Sequence, residues 1–289
     1  QLSLSALHVD STFQTSLGEG VTADAGPGLI PEFAISRQLT NTDWAWGVGV
    51  NVQSAMRADF EFLDPTINGV SYGRQTHRSE FAVVKFSAGV SYILSNKLSI
   101  GGALGLAYNR NLLTAPYIFQ SNPALKGFKI LVDLEADDFA LTSSIGFNYA
   151  INSDLELNIA YAQEVDFSAN GKLTGNLSQL KLGIAEDFAY SANLTAALPA
   201  TLIAGLSWQA TNRLQLGAQY DYISWKKSFD DLPIRLTEGS NGELNTLLGS
   251  TSINDTAPLN WHNQHVIHLG AAFTLENGQV IRAGIENSN

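Results

Sequence analysis

Leu39-Thr40-Asn41-Thr42-Asp43-Trp44-Ala45-Trp46-Gly47-Val48-Gly49-Val50-Asn51-Val52-Gln53 decides the fold. Its first five residues make a polar turn, in which the short Asn amide tolerates left-handed backbone and bonds the local chain. The rest alternates. Successive side chains of a strand point to opposite faces, so Trp44, Trp46, Val48, Val50 and Val52 share one face, and Ala45, Gly47, Gly49, Asn51 and Gln53 the other. That second face is too small and too polar to be the core of a water-soluble protein.

The same turn recurs as Leu94-Ser95-Asn96-Lys97, Ile151-Asn152-Ser153-Asp154, Ala210-Thr211-Asn212-Arg213 and Leu275-Glu276-Asn277-Gly278. Each is flanked by alternating runs and joins two strands of a hairpin. Between hairpins lie long loops, about 10–27, 59–78, 111–136, 176–187 and 227–263. Short and long connections alternate, which is the asymmetry of a transmembrane β-barrel.

Composition narrows the choice. Of 289 residues only 15% are charged, while 25 are Gly and 10% aromatic. No run of about 18 apolar residues occurs, so a membrane role falls to strands. A net charge of −11 argues against nucleic acid as a partner, because phosphate binding needs clustered Lys and Arg. The absence of Cys suits an oxidising compartment. The opening Gln1-Leu2-Ser3-Leu4 is strand sequence rather than a signal peptide, as in a mature or trimmed chain.

Later strands repeat the division into an oily and a small, wet face. Leu98, Ile100, Leu104, Leu106 and Tyr108 oppose Ser99, Gly101, Ala103, Gly105, Ala107 and Asn109; Leu141, Ile145, Phe147 and Tyr149 oppose Thr142, Ser144, Gly146 and Asn148. In a soluble sandwich the wet faces would be solvated and rich in Lys and Glu. Here they are Gly, Ala, Ser, Asn and Gln, which suits a crowded lumen. Trp44, Trp46, Tyr92, Tyr149, Trp208 and Phe273 gather beside turns, where a membrane interface selects rings. The expected fold is therefore all-β, a transmembrane antiparallel up-and-down β-barrel occupying 1–289 as a single partial domain. It has about eleven strands, and the chain reads as cut off before the barrel closes, since open edges would face hydrocarbon.

Several segments resemble the FadL/TodX-like outer-membrane transporters of long-chain fatty acids and other hydrophobic compounds. Tyr161-Ala162-Gln163-Glu164-Val165-Asp166-Phe167-Ser168-Ala169-Asn170-Gly171 is similar to a strand of that family. So are Leu198-Pro199-Ala200 with Gly205-Leu206-Ser207-Trp208, then Tyr220-Asp221-Tyr222-Ile223-Ser224-Trp225, Trp261-His262-Asn263-Gln264-His265-Val266-Ile267-His268-Leu269-Gly270 and Arg282-Ala283-Gly284-Ile285. The resemblance covers about 155–289, while 1–154 match in pattern. It implies a barrel of about fourteen strands with an N-terminal hatch, so about three strands would follow Asn289 and the hatch would precede Gln1. It also implies the outer membrane of a Gram-negative bacterium, a kinked third strand that opens a side exit, matched here by Gln53-Ser54-Ala55-Met56-Arg57, and capture of a lipid-like ligand by the loop at 111–136.

That loop carries Leu112, Leu113, Tyr117, Ile118, Phe119, Leu125 and Phe128. They form either a capture groove or short helices packed on one another or into the barrel mouth. Arg110 and Arg235 are candidates to hold a carboxylate headgroup, with Lys226 and Lys227 behind them; the alternative is rim charges facing water or lipopolysaccharide. His262, His265 and His268 alternate faces on a strand and do not converge on a metal. Past Gln53 the alternation falters, and continued parity would put Met56 on the lipid side and Arg57 inside. No nucleophile motif occurs, so no enzyme is expected.

The expected function is passive uptake of long-chain fatty acids or other hydrophobic molecules, without cofactor or metal. The partners would be that ligand, outer-membrane lipid and lipopolysaccharide, with the chain monomeric. The alternatives are a general porin and a soluble β-rich binding or adhesion domain.

Overall fold

A computed structural model describes residues 2–7, 11–23 and 28–289. The strands are β1 (Leu2–Leu7), β2 (Thr12–Gln14), β3 (Gly20–Thr22), β4 (Gly28–Gln38), β5 (Trp44–Leu63), β6 (Arg74–Ser95), β7 (Leu98–Ile118), β8 (Lys129–Ala150), β9 (Leu155–Ala162), β10 (Val165–Asn176), β11 (Asp187–Leu198), β12 (Thr201–Gln209) and β13 (Leu214–Ile223), then β14 (Asp231–Thr237), β15 (Ile253–Pro258), β16 (Gln264–Thr274) and β17 (Val280–Ser288). Two short helices, α1 (Trp225–Phe229) and α2 (Gly242–Leu248), flank β14. Eleven strands pair antiparallel in the order β1-β4-β5-β6-β7-β8-β9-β12-β13-β16-β17, as the hairpin pattern requires. β1 and β17 are the edges of this sheet.

One face of the sheet is oily and open. Leu104, Leu141 and Ile285 are 72%, 78% and 72% exposed. The other face is concave and small, with Gly47, Gly89, Ala103, Gly146, Gly205, Gly217 and Gly270 in adjoining rungs. At Gly89 a Cβ would stand 3.0 Å from the carbonyl oxygen of Gly102 and 3.1 Å from the Ala103 Cβ, so this part of the wall admits no side chain without backbone movement.

The outward side chains of β8 mark the membrane. Tyr149, Phe147, Ile145, Leu141 and Phe139 are exposed apolar residues, followed by Asp137, Glu135 and Asp133. From Tyr149 to Phe139 the strand climbs ten residues, which at about 3.3 Å each and a tilt of about 40° spans roughly 25 Å, the height of an outer-membrane barrel's apolar band. Ring pairs stand at both borders, Trp44 with Tyr92 at 4.7 Å and Tyr108 with Phe139 at 4.9 Å.

Beyond the upper border most of the expected loops are ordered strand. The loop at 111–136 shrinks to 119–128, because β7 continues to Ile118 and β8 starts at Lys129, and that at 59–78 shrinks to 64–73. Backbone groups stay paired as the wall leaves the membrane, since a buried unpaired N–H or C=O is costly. The loop at 176–187 is nearly as expected, 177–186. The one at 227–263 starts inside α1 and contains β14, α2 and β15. That at 10–27 contains the β2–β3 hairpin; its residues 10 and 24–27 lie outside the described residues.

β10, β11, β14 and β15 branch from the upper half of β8, where Leu131–Asp137 pair with β10. The sheet β7-β8-β10-β11-β14-β15 curls until Asp255 of β15 meets the end of β7, giving an outer cap. Its core holds Val132, Leu134, Phe188, Tyr190, Leu194 and Leu236.

Candidate functional site

Within the barrel the small face borders an open lumen of ≈ 1350 Å³. Above it the inward side chains become apolar. Phe81 and Val83 of β6, Ala107 of β7, Val165 and Phe167 of β10, Ala196 and Leu198 of β11 and Phe229 of α1 form a buried cluster under the cap. Phe229 is its hub, 5.1 Å edge-on from Phe81, 5.3 Å from Trp225 and 5.2 Å from Trp261. Lys227 bonds Glu164 at 2.7 Å and anchors this helix to the wall. Aromatic and aliphatic side chains thus pack between the cap and the lumen.

The wall is interrupted beside that cluster. β4 pairs with β5 only from Gln38↔Ala45 up to Glu32↔Asn51, and one extra residue, Gln53, then bulges from β5. A bulge turns the strand over, so the expected orientation past Gln53 is reversed. Met56 points inward and packs against the apolar cluster, while Arg57 points outward and pairs with Asp59 at 2.8 Å. Beyond the bulge β5 keeps β6 on one side, and on the other the β2–β3 hairpin lies over it, with Phe13 4.9 Å from Phe60 and 5.3 Å from Phe62. Glu19 pins this hairpin to Arg74 at 2.8 Å, and that hydrogen bond holds the Glu19 carboxyl below its ordinary range.

The residues singled out from the sequence fall in three places. Leu113, Tyr117, Phe119 and Leu125 pack against the core of the cap; Leu112 and Ile118 sit half-buried on the other face of β7, and Phe128 is 45% exposed. Arg110 is on the outer wall above the apolar band, 2.7 Å from Glu135 and 3.9 Å from Glu80, and the Glu135 hydrogen bond raises its already high pKa. Arg235 is exposed on β14 between buried Ile234 and Leu236. The structure does not bring the two arginines to one cavity with the apolar residues. His265 and His268 face opposite sides, the first bonded to Tyr220 at 2.6 Å and the second between Asp221 at 3.1 Å and Glu286 at 3.2 Å.

Sequence reasoning overlooked Lys85, a charge in the otherwise small parity Lys85, Ser87, Gly89, Ser91 of β6. It also overlooked Phe229, whose position depends on α1 folding back over the lumen. The charge at 85 was a visible signal; the helix gave none, being only five residues long.

No curated protein matches this chain. Among solved structures, the toluene transporter TodX of Pseudomonas putida superposes with a TM-score of 0.76 at 19% identity, over 100% of this chain and 74% of TodX. The toluene transporter TbuX of Ralstonia pickettii gives 0.74 at 16%, over 100% and 75%. A FadL homologue of Pseudomonas aeruginosa gives 0.71 at 14%, over 99% and 69%. These likenesses establish the barrel-wall architecture. The profile of the family described as "Outer membrane protein transport protein (OMPP1/FadL/TodX)" matches residues 4–288. An oily exterior of membrane height, a small-residue lumen and this match over nearly the whole sequence lead to one assignment: the chain belongs to the OMPP1/FadL/TodX family of Gram-negative outer-membrane transport proteins.

Proposed function

We propose that this chain conducts hydrophobic small molecules, long-chain fatty acids or neutral hydrocarbons, passively across the outer membrane. A ligand is captured at the cap, where Phe128 presents apolar surface. It then passes the cluster around Phe229 and leaves through the lumen or the interruption between β4 and β5. The observation that carries this reading is the apolar cluster placed directly between the cap and the small-residue lumen, beside the bulge at Gln53. The solved relatives that transport toluene support it. A general porin fits less well, since its lumen needs facing ladders of opposite charge and this one is mostly Gly, Ala and Ser. The outer belt of Arg57, Asp59, Arg78, Glu80, Arg110 and Glu135 would meet lipopolysaccharide, and the chain would act as a monomer.

Gly270 supplies the test. A Cβ there meets only the Ala283 carbonyl oxygen, at 3.7 Å, so a side chain fits without backbone strain and projects into the lumen. Gly270→Phe in the reconstituted protein should reduce dodecanol flux into liposomes by about tenfold or more, since an aromatic ring would stand in the lumen. Its heat-modifiable migration in detergent should not change. Unaltered flux in the folded variant would remove the lumen from the route.

A further inference from the structure

The apolar cluster between cap and lumen is closed. None of its eight described buried residues borders the lumen, so a molecule passing from one to the other must displace some of them. Seven of the eight stand on strands: Phe81 and Val83 on β6, Ala107 on β7, and the others on β10 and β11. β6 and β7 are paired on both sides, and β10 is paired to β11 from Val165↔Leu198 upward. Moving any of these strands breaks a ladder of backbone hydrogen bonds.

The eighth residue, Phe229, is on α1, which has no such support. A helix of five residues is far below the length that holds itself together in water. Its N-cap, Ser224, makes no side-chain capping bond. Side chains keep α1 in place instead. Glu164, in the link between β9 and β10, accepts from Lys227 Nζ at 2.7 Å and, through its other oxygen, from the Ser228 hydroxyl at 3.4 Å. Trp225 Nε1 donates to Gln264 at 3.3 Å, and the Lys226 amide to the Asn263 side chain at 3.1 Å. The Lys227 side chain is 74% exposed, so water can replace its bond to Glu164 at little cost.

We propose that α1 is the gate of the channel, with Phe229 as its plug and the Lys227–Glu164 pair as its latch. Once α1 swings away from Glu164, Phe229 leaves Phe81 and the cap communicates with the lumen. The inference rests on the transport reading above and adds the moving part. A hydrophobic molecule favours the open state, because it covers the apolar side chains that Phe229 leaves bare and water does not.

The chain has no Cys, so Ser228→Cys places a single thiol on α1, buried while the helix is seated. Its rate of modification by a water-soluble methanethiosulfonate, in the full chain in liposomes, reads opening without reference to flux. Adding Lys227→Met should speed modification about two- to fivefold, since the pair is weak. Adding Phe229→Ala should speed it by roughly tenfold or more, since a packed ring is lost, and dodecanol should speed it without either change. A carbodiimide supplies the lock: it joins Lys227 to Glu164 as an amide and takes up the water released, whereas Lys227→Arg keeps the pair and forms no such amide. Treatment should lower dodecanol flux about tenfold in the wild type, as expected of a shut passage, and leave Lys227→Arg conducting. Undiminished flux through wild-type protein whose amide is verified by mass spectrometry, or modification rates indifferent to Lys227→Met, Phe229→Ala and dodecanol, overturns the gate while the transport reading stands. An untreated wild type that conducts no dodecanol overturns both.

Discussion

Asp64→Ala is expected to cost the outer cap about 3–5 kcal/mol, because it strands a buried charge. Lys129 opens β8 and is only 2% exposed; its Nζ lies 2.7 Å from Asp64 Oδ1, itself on a residue 3% exposed, and it also donates to the Pro65 carbonyl. The second carboxylate oxygen, Oδ2, accepts from the Tyr72 amide at 2.9 Å. One carboxylate thus folds residues 64–73 onto the start of β8. Asn68 then bonds the Gly127 carbonyl at 3.2 Å and Tyr72 that of Asn176 at 2.9 Å, which ties the segment to β10. Once Asp64 is gone, the ammonium keeps one carbonyl and no counter-charge. Asp64→Asn with Lys129→Met retains an acceptor for Tyr72 while removing both charges, so the double variant should lose much less than Asp64→Ala. Amide hydrogen exchange over 64–73 and 129–134 measures the difference. Similar protection in both variants would mean that burial of the charge is not what holds this segment.

The membrane-spanning half of this architecture was legible because two signals coincide there, an Asn-bearing turn and a strict period of two. Trp44 to Val52 could be oriented from sequence because the lumen admits only small side chains and the lipid only oily ones. Outside the membrane the solvent changes sides. Water now faces the outer wall, so the oily parity must turn inward. On β7 it moves from Leu104, Leu106 and Tyr108 to Leu113 and Tyr117, and on β8 from Phe139 and Leu141 to Ile130, Val132 and Leu134. Taken without that exchange of solvent, the upper strands resembled one unusually oily loop. On β5 the parity in sequence does not change at all, from Val50 and Val52 to Met56, Phe60 and Phe62, because the bulge at Gln53 rotates the strand instead. A single inserted residue has no compositional mark, and Arg57 was accordingly oriented the wrong way. The pairing of Arg110 with Glu135, 25 residues apart, depends on register and could not be read from either residue alone.

Asp255→Asn is expected to open the cap where its first and last strands meet. Asp255 is 4% exposed and accepts from the Tyr117 hydroxyl at 2.6 Å, the amides of Gln120, Ser121 and Asn122 at 2.9, 2.6 and 2.9 Å, and the Ser121 hydroxyl at 2.9 Å. Burial raises the pKa of this carboxyl, but the bonds from Tyr117, Gln120 and Ser121 outweigh it and hold the value at about 2, below the ordinary 3.8. Burial, with the Asp255 charge, pushes the Tyr117 hydroxyl upward, so it remains a donor at neutral pH. The folded-state pKa is depressed, so the stabilisation is complete above the ordinary carboxylate range and is lost as pH falls from about 4 through 2. An Asn side chain has the same shape but must turn its NH2 toward one set of donors, either Gln120 N–H or the Ser121 and Asn122 N–H groups. Each buried donor left without an acceptor costs about 1–3 kcal/mol. Protection of residues 117–128 and 253–258 against exchange should therefore fall by roughly tenfold to a hundredfold at pH 7, and its pH dependence between about 4 and 2 should flatten. A variant that keeps the wild-type slope would place the acid sensitivity of the cap on some other carboxylate. The consequence for transport follows from position: Tyr117 and Phe119 reach the core of the cap from the strand end that Asp255 clasps, so loosening that clasp should speed ligand entry while weakening retention.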